Sequence, residues 1–565
     1  MDRKAEEELI VELSATTTTP RDALRGTRSR LKIYGTCPNL TDMNANAPGR
    51  VLVASNRGPV SFRLSDDGQL TSRRGGGGMV SGLSSVAGQA EVLWVCAALS
   101  DADRTAARAA PDGYLDTPDA SLDGAGSAVR MLDIPVATFD RAYNGVANST
   151  LWFVHHMLFD TPNRPHFGLV FRREWESFRA YNAAFADALA AGAGPNGAAH
   201  RGGVRAMVQD YHLTLVPRML ADRRPDVAIG YFCHTPWAPP AYFAILPDDV
   251  GREVLDGILG ADHAGFHAER WADAFLDCCE AMLGAEVDRA ARTVRHRGHT
   301  TTVGVHPLGV DAGELRERAA AADVQAHVTA LASAAGDNKL IVRIDRTELS
   351  KNIVRGLAAY RELLVSYPQW RGKVTHLAFA YPSRHDLPEY REYTATVQRV
   401  ARQITDEFGT EDWDPLVLQV NDDYARSLAA YQLADVLLVN PIRDGMNLVA
   451  KEGPLLSERS CALVLSREAG AVAELGEYAL VINPFDITQT AKALHEALSM
   501  PDAERKRRAA LLAEAGAEHP PQQWFADQLR ALDAAVGLAS GPESPAGRPP
   551  RRAHRRRGLL RRRAH

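Results

Sequence analysis

Ten apolar runs of strand length punctuate the chain: Arg50 to Ser55, Glu91 to Ala97, Arg205 to Gln209, Val227 to Cys233, Lys339 to Asp345, Val374 to Ala380, Leu416 to Val420, Val436 to Asn440, Ala462 to Ser466 and Ala479 to Ile482. Helical patterns separate them. Apolar strands alternating with helices form βαβ units, which build parallel sheets covered by helices on both faces. The expected fold class is therefore α/β. The runs fall into two groups, with the break near residue 310, after Val303-Gly304-Val305-His306-Pro307-Leu308-Gly309, a strand interrupted by glycine and proline. A chain of 565 residues with 45% hydrophobic content can bury two such cores.

The flanks read differently. Residues 1–48 hold a short helical pattern, then the threonine run Thr16 to Thr19, then Gly and Pro without periodicity, and are expected to be a mostly disordered extension. Residues 541–565 contain nine arginines and one glutamate among Gly, Pro and Ser, which again predicts disorder. The chain's formal charge is −5, so with a local +8 in that tail residues 1–540 sum to −13. An acidic body with no aromatic stacking platform beside the basic tail argues against nucleic-acid binding, and leaves the tail an accessory segment that could meet an acidic partner.

Six scattered cysteines with no CxxC and no zinc spacing argue for reduced thiols and against a metal cage. No apolar stretch is long enough to cross a bilayer and no signal-peptide core follows Met1, so the expectation is a soluble cytoplasmic protein without a membrane partner. Composition leaves a homo-oligomer open.

Chemistry concentrates at the ends of the strand runs. After Val436-Leu437-Leu438-Val439 comes Arg443-Asp444-Gly445-Met446-Asn447-Leu448-Val449-Ala450-Lys451-Glu452. A strand, a glycine turn and a helix place backbone N–H donors and two carboxylates beside one pocket, an arrangement that can grip a sugar; the plain alternative is a tight Asp-Gly turn. After Leu340-Ile341-Val342-Arg343-Ile344-Asp345 come Arg346 and Lys351. Guanidinium grips oxygens in a fork and ammonium acts as a point charge, so the two suit a diphosphate, although a solvated basic turn has the same composition. Arg73-Arg74-Gly75-Gly76-Gly77-Gly78 precedes a helical pattern, where bare backbone can approach phosphate or can simply form a flexible loop.

Together with Val53-Ala54-Ser55-Asn56-Arg57, Gln209-Asp210-Tyr211-His212 and His234-Thr235-Pro236-Trp237, these segments occur in the order found in trehalose-6-phosphate synthases, which the chain resembles over residues 49 to 500. The resemblance implies a GT-B architecture: two doubly wound Rossmann-like domains facing across a cleft, an acceptor domain at 49–310 and a nucleotide-sugar domain at 311–502. It also implies a helix within 503–540 crossing back to the first domain. It implies a retaining glycosyltransferase of trehalose biosynthesis, moving glucose from a nucleotide-glucose to glucose 6-phosphate with no cofactor and no metal. The donor would be held by Gly76, Gly77, Gly78, Arg346, Lys351, Asp444, Gly445, Met446, Asn447, Leu448 and Glu452, with Glu452 on the ribose. The acceptor would be held by Arg57, Tyr143, Trp152, Asp210 and Arg384, and Arg346, Lys351, Asp444 and His234 would serve the chemical step.

Some features depart from the main pattern. Lys351-Asn352 stands where trehalose-6-phosphate synthases usually have Lys-Gly, and Phe153 to Gly168, including His155-His156, differs as well. The stretch Glu452-Gly453-Pro454-Leu455-Leu456-Ser457-Glu458-Arg459 resembles the validoxylamine phosphate synthase branch, pseudoglycosyltransferases that join a cyclitol nucleotide to an aminocyclitol phosphate. A catalytically silent regulatory homologue is the other alternative. The nucleotide base (UDP, GDP or ADP) is not legible in these residues.

Overall fold

The structure, a computed structural model, describes residues 50–65, 68–75, 91–115, 128–195, 203–384 and 387–537. The expectations for residues 1–48, for Gly76, Gly77 and Gly78, and for the tail 541–565 lie outside the described residues.

The first lobe is built on β1 (Arg50–Ala54), β2 (Val60–Leu64), β3 (Leu70–Arg74), β4 (Val92–Ala97), β5 (Tyr114–Leu115), β6 (Ala128–Leu132), β7 (Val204–Gln209), β8 (Ala228–Cys233), β9 (His263–Phe266), β10 (Glu286–Asp288), β11 (Thr293–His296) and β12 (His299–Val305). Ten of these form one sheet in the order β10-β11-β12-β9-β8-β7-β1-β4-β6-β5, while β2 and β3 make a separate hairpin. From β12 to β6 every pairing is parallel; β10, β11 and β5 add antiparallel edges. Most central strands were legible because both faces are buried, β4 and β8 exposing nothing along their length; the four-residue β9, equally buried, was not anticipated because His-Ala-Gly-Phe carries no apolar run. The edge strands were not, because β10 reads Glu-Val-Asp and β6 alternates buried with half-buried residues, patterns that a loop shares.

The second lobe is built on β13 (Lys339–Arg346), β14 (Val374–Tyr381), β15 (Leu416–Gln419), β16 (Val436–Val439), β17 (Ala462–Ser466) and β18 (Leu480–Ile482). All pairings are parallel, in the order β15-β14-β13-β16-β17-β18. Alternate residues of β13 serve different cores: Leu340, Val342 and Ile344 one face, Ile341 the other. That is the doubly wound pattern, and its strand order reverses between β13 and β16, opening a crevice at the carboxyl ends of those two strands.

The stretch expected to cross back is two helices, Asp502–Ala517 and Pro521–Ala535. Pro520 and Pro521 end the first and open the second, because proline cannot donate within a helix but fits its first turn. The second helix packs Trp524, Phe525 and Leu532 into the core of the first sheet, beside Val51, Val53 and Phe232. Arg205 on β7 pairs with Asp533 at 2.6 Å. The two chain crossings between lobes run side by side: Gly309 N–H donates to the His519 carbonyl at 2.8 Å. Lys451, fully buried, donates to the Leu308 carbonyl at 2.8 Å and pairs with Glu474.

Candidate active site

Strand β13 ends at Arg346, and a short turn brings Lys351 back over the crevice. Its Nζ lies 2.6 Å from Asp444 Oδ2, on the turn that leaves β16. Burial opposes both charges, yet each holds the other ionised: Asp444 lies below the usual carboxylate range through Lys351, and Lys351 lies above its own through Asp444 and Asp345. Asn447 Nδ2 donates to the same Asp444 oxygen at 3.0 Å, and Asn447 Oδ1 accepts from Ala450 N–H in the first turn of the helix Val449–Leu456. Met446 is buried in the second lobe's core, while Leu448 packs against the cores of both lobes.

Gly445 sits where the lobes meet. A Cβ there would run into the His234 carbonyl, so the glycine is required by close approach. Its own carbonyl accepts from Trp271 Nε1 at 2.9 Å. Arg443 donates to the Trp237 carbonyl at 3.0 Å and lies over the Trp271 ring, and Arg270 pairs with Glu468.

Asn352, the departure after Lys351, has φ 58 and ψ 35, the left-handed conformation in which glycine is usual and asparagine is the best-tolerated substitute. Its Nδ2 donates to the carbonyls of Asn440 and Pro484, so the side chain also fastens β16 to the loop after β18. The backbone path that glycine would give is retained.

On the first lobe, the strand ends supply the remaining predicted residues. Asp210 follows β7 at φ 75 and ψ 169, a strained conformation for a non-glycine, and its Oδ1 accepts the His234 N–H at 3.2 Å. Burial raises the Asp210 carboxyl above its ordinary value, against the pull of His234. His234 Nε2 lies 3.0 Å from Gln209 Oε1, and burial keeps its ring neutral, with Asp210 pulling the other way. Arg57 is exposed just beyond β1. Tyr143 lies on the π-helix Arg141–Leu151, stacked between Phe139 and His212 at 5.2 and 5.6 Å.

Arg384 reaches across from the second lobe. Its guanidinium donates to Asn148 Oδ1 and Tyr211 Oη, each at 3.2 Å, and lies 3.9 Å above the centre of Trp152. His156 stacks on Trp152 at the same distance, 3.9 Å. Trp152 Nε1–H is buried without a partner among the described residues. Asn148 Nδ2 is likewise buried and unpartnered, while its Oδ1 accepts from Tyr211 and Arg384.

Arg346 is half-exposed and ion-paired with Glu348 Oε1 at 2.9 Å. Glu452 accepts from Tyr431 Oη at 3.0 Å, and burial raises its carboxyl above the ordinary value. Sequence reasoning missed Glu348 and Tyr390, which meet Arg384 within the second lobe, and Asn148 and Tyr211, which touch it only because the lobes come together; Tyr211 stood inside a quoted motif and was the one with a signal. Among the described residues, no group of three or more His, Cys, Asp or Glu side chains is placed to hold a metal ion.

Two doubly wound sheets whose carboxyl ends turn polar and charged residues toward each other make the GT-B architecture. Residues 49–534 match the model of glycosyltransferase family 20. The chain belongs to glycosyltransferase family 20. The UDP-forming α,α-trehalose-phosphate synthase of Schizosaccharomyces pombe is 31% identical over 479 residues, 84% of this chain and 88% of that protein. A bifunctional trehalose-6-phosphate synthase/phosphatase of Thermoproteus tenax is 32% identical over 86% of this chain, which spans only 63% of that protein's length. The Escherichia coli protein solved bound with UDP-2-fluoro glucose superposes with a TM-score of 0.73 at 27% identity, over 86% of this chain and 99% of that one. Among the described residues no helix is long and apolar enough to cross a membrane.

Proposed function

We propose that this chain transfers glucose from UDP-glucose to the anomeric hydroxyl of glucose 6-phosphate, with retention, yielding α,α-trehalose 6-phosphate and UDP. The observation that carries the reading is the Lys351–Asp444 pair at the crevice of the second sheet, with Arg346 beside it and the Gly445 turn pressed against the His234 carbonyl. In this reading Asp444 and the Gly445–Leu448 backbone take the donor sugar's hydroxyls, Glu452 takes the ribose, and Lys351 and Arg346 take the diphosphate. The bond from the anomeric carbon to the diphosphate oxygen breaks while the acceptor oxygen attacks from the same face. The acceptor's proton passes to the leaving phosphate oxygen. Charge growing on that phosphate meets two cations in a water-poor cleft, a stabilisation commonly worth about 10²-fold or more in rate. No divalent metal enters this scheme.

Arg384, Arg57, Tyr143 and the free Nε1–H of Trp152 form the acceptor's phosphate site in this reading, a donor-rich cluster suited to a phosphate monoester. The two carboxylates that burial biases toward the neutral form, Asp210 and Glu452, suit hydroxyl recognition. The pseudoglycosyltransferase alternative drew on Asn352, and the left-handed backbone there removes that support, since asparagine meets the same requirement as glycine.

The test is an assay of purified protein with glucose 6-phosphate and a panel of nucleotide glucoses, following nucleoside diphosphate release. Turnover with UDP-glucose is expected. Turnover only with a cyclitol nucleotide and an aminocyclitol phosphate would overturn the reading.

A further inference from the structure

Between the two anion sites lies a residue to which neither site assigns a role. Glu348 is fully buried. Its Oε1 is ion-paired with Arg346 Nη1 at 2.9 Å and with Arg384 Nη1 at 3.1 Å, and accepts a hydrogen bond from the Ser383 hydroxyl at 2.9 Å. Arg346 belongs to the end of β13 and Arg384 to the loop after β14, and Arg384 continues into the first lobe to Asn148, Tyr211 and Trp152. One carboxylate oxygen is thus the common anchor of the cation beside Lys351 and the cation of the cross-lobe cluster. Oε2 is buried with no partner among the described residues, so both ion pairs and the hydrogen bond converge on one atom.

We propose that Glu348 is a positioning residue that fixes the spacing between the diphosphate of the donor and the phosphate of the acceptor, by holding Arg346 and Arg384 at a set separation. The inference rests on the functional reading above. Two guanidiniums on one oxygen repel each other, and the carboxylate between them is what keeps them together before any anion arrives. Without its charge, both arginines become stronger anion attractors but lose their common reference point. Ground-state binding should therefore hold or improve while the reacting atoms are misaligned, and a misplacement of about 1 Å costs roughly 10²-fold in rate.

The test compares wild type with Glu348→Gln, which keeps the shape and one acceptor oxygen, and Glu348→Asp, which keeps the charge. Steady-state kinetics are read with titrations of UDP and of glucose 6-phosphate into each protein and with thermal melting. For Glu348→Gln, kcat is expected to fall about 10-fold or more with the KM of both substrates unchanged or lower, and Glu348→Asp should recover more of kcat than Gln does. A raised KM, an unchanged kcat, or loss of the folded state in both variants would overturn the proposal, the last because it makes Glu348 a residue of the fold. If the wild type itself fails to turn over UDP-glucose with glucose 6-phosphate, the functional reading fails instead. The titrations then still decide Glu348, because weaker UDP binding to Glu348→Gln than to wild type contradicts it independently.

Discussion

The Lys351–Asp444 pair and the Arg384 cluster are assembled in opposite ways. The first joins two strand ends of one sheet, so the second lobe completes it alone. The second draws its cation from one lobe and Asn148, Trp152 and Tyr211 from the other. In the proposed reading the donor half is therefore complete within one lobe, whereas the acceptor half needs both lobes. The difference teaches that one protein can hold one substrate site by fold and the other by closure, and each half should fail in its own way.

The largest effect is expected from Lys351→Ala. Losing the cation at the leaving group should lower kcat by about 10²-fold or more, with the KM for glucose 6-phosphate little changed. A loss confined to the donor's KM would mean that Lys351 only anchors, and would break the contrast. Next, Arg384→Ala should raise the KM for glucose 6-phosphate about 10- to 100-fold, the worth of roughly 1.5–3 kcal/mol of charge-assisted hydrogen bonding, while UDP binding measured by titration stays the same.

Much of this contrast was legible in sequence and part of it was not. Lys351 and Asp444 are 93 residues apart, yet both could be placed because each follows an apolar run, and strand ends of a doubly wound sheet converge by topology. Trp152 and Asn148 could not be understood that way. Their meaning depends on which side chain arrives from the facing lobe, and no local pattern encodes a partner across an interface. The edge strands β10 and β11 escaped for a simpler reason: a strand paired at a solvent-facing edge carries no continuous apolar run.

Gly445→Ala sharpens the comparison further. Overpacking against the His234 carbonyl should cost about 1–3 kcal/mol and push the lobes apart. Acceptor affinity should then suffer more than UDP affinity; equal losses would show that the donor half also needs closure.

A smaller effect is set by pH. Burial holds His156 and His212, which stack within the acceptor half, at about 3, along with His155, His263 and His376, against an ordinary 6.5. These rings are neutral when folded and take up protons on unfolding, so their contribution is present above about 6.5 and is lost as pH falls toward 3. The melting temperature should decline steadily through that window. The Lys351–Asp444 pair stays charged across most of it, so UDP affinity should decline less than glucose 6-phosphate affinity. The smallest effect expected is none: EDTA should leave turnover unchanged, since both halves draw their positive charge from Arg and Lys, and a loss restored by Mg²⁺ would overturn the metal-free scheme.

The helix Pro521–Ala535 lies among the last described residues, yet it fills the core of the first sheet with Trp524, Phe525 and Leu532. During synthesis from the N-terminus, the first lobe must wait for a segment made after the second lobe before its apolar surface is sealed. Cutting the chain at residue 310 would yield no free-standing half, because the leading fragment would carry an open core and the trailing one an orphaned helix.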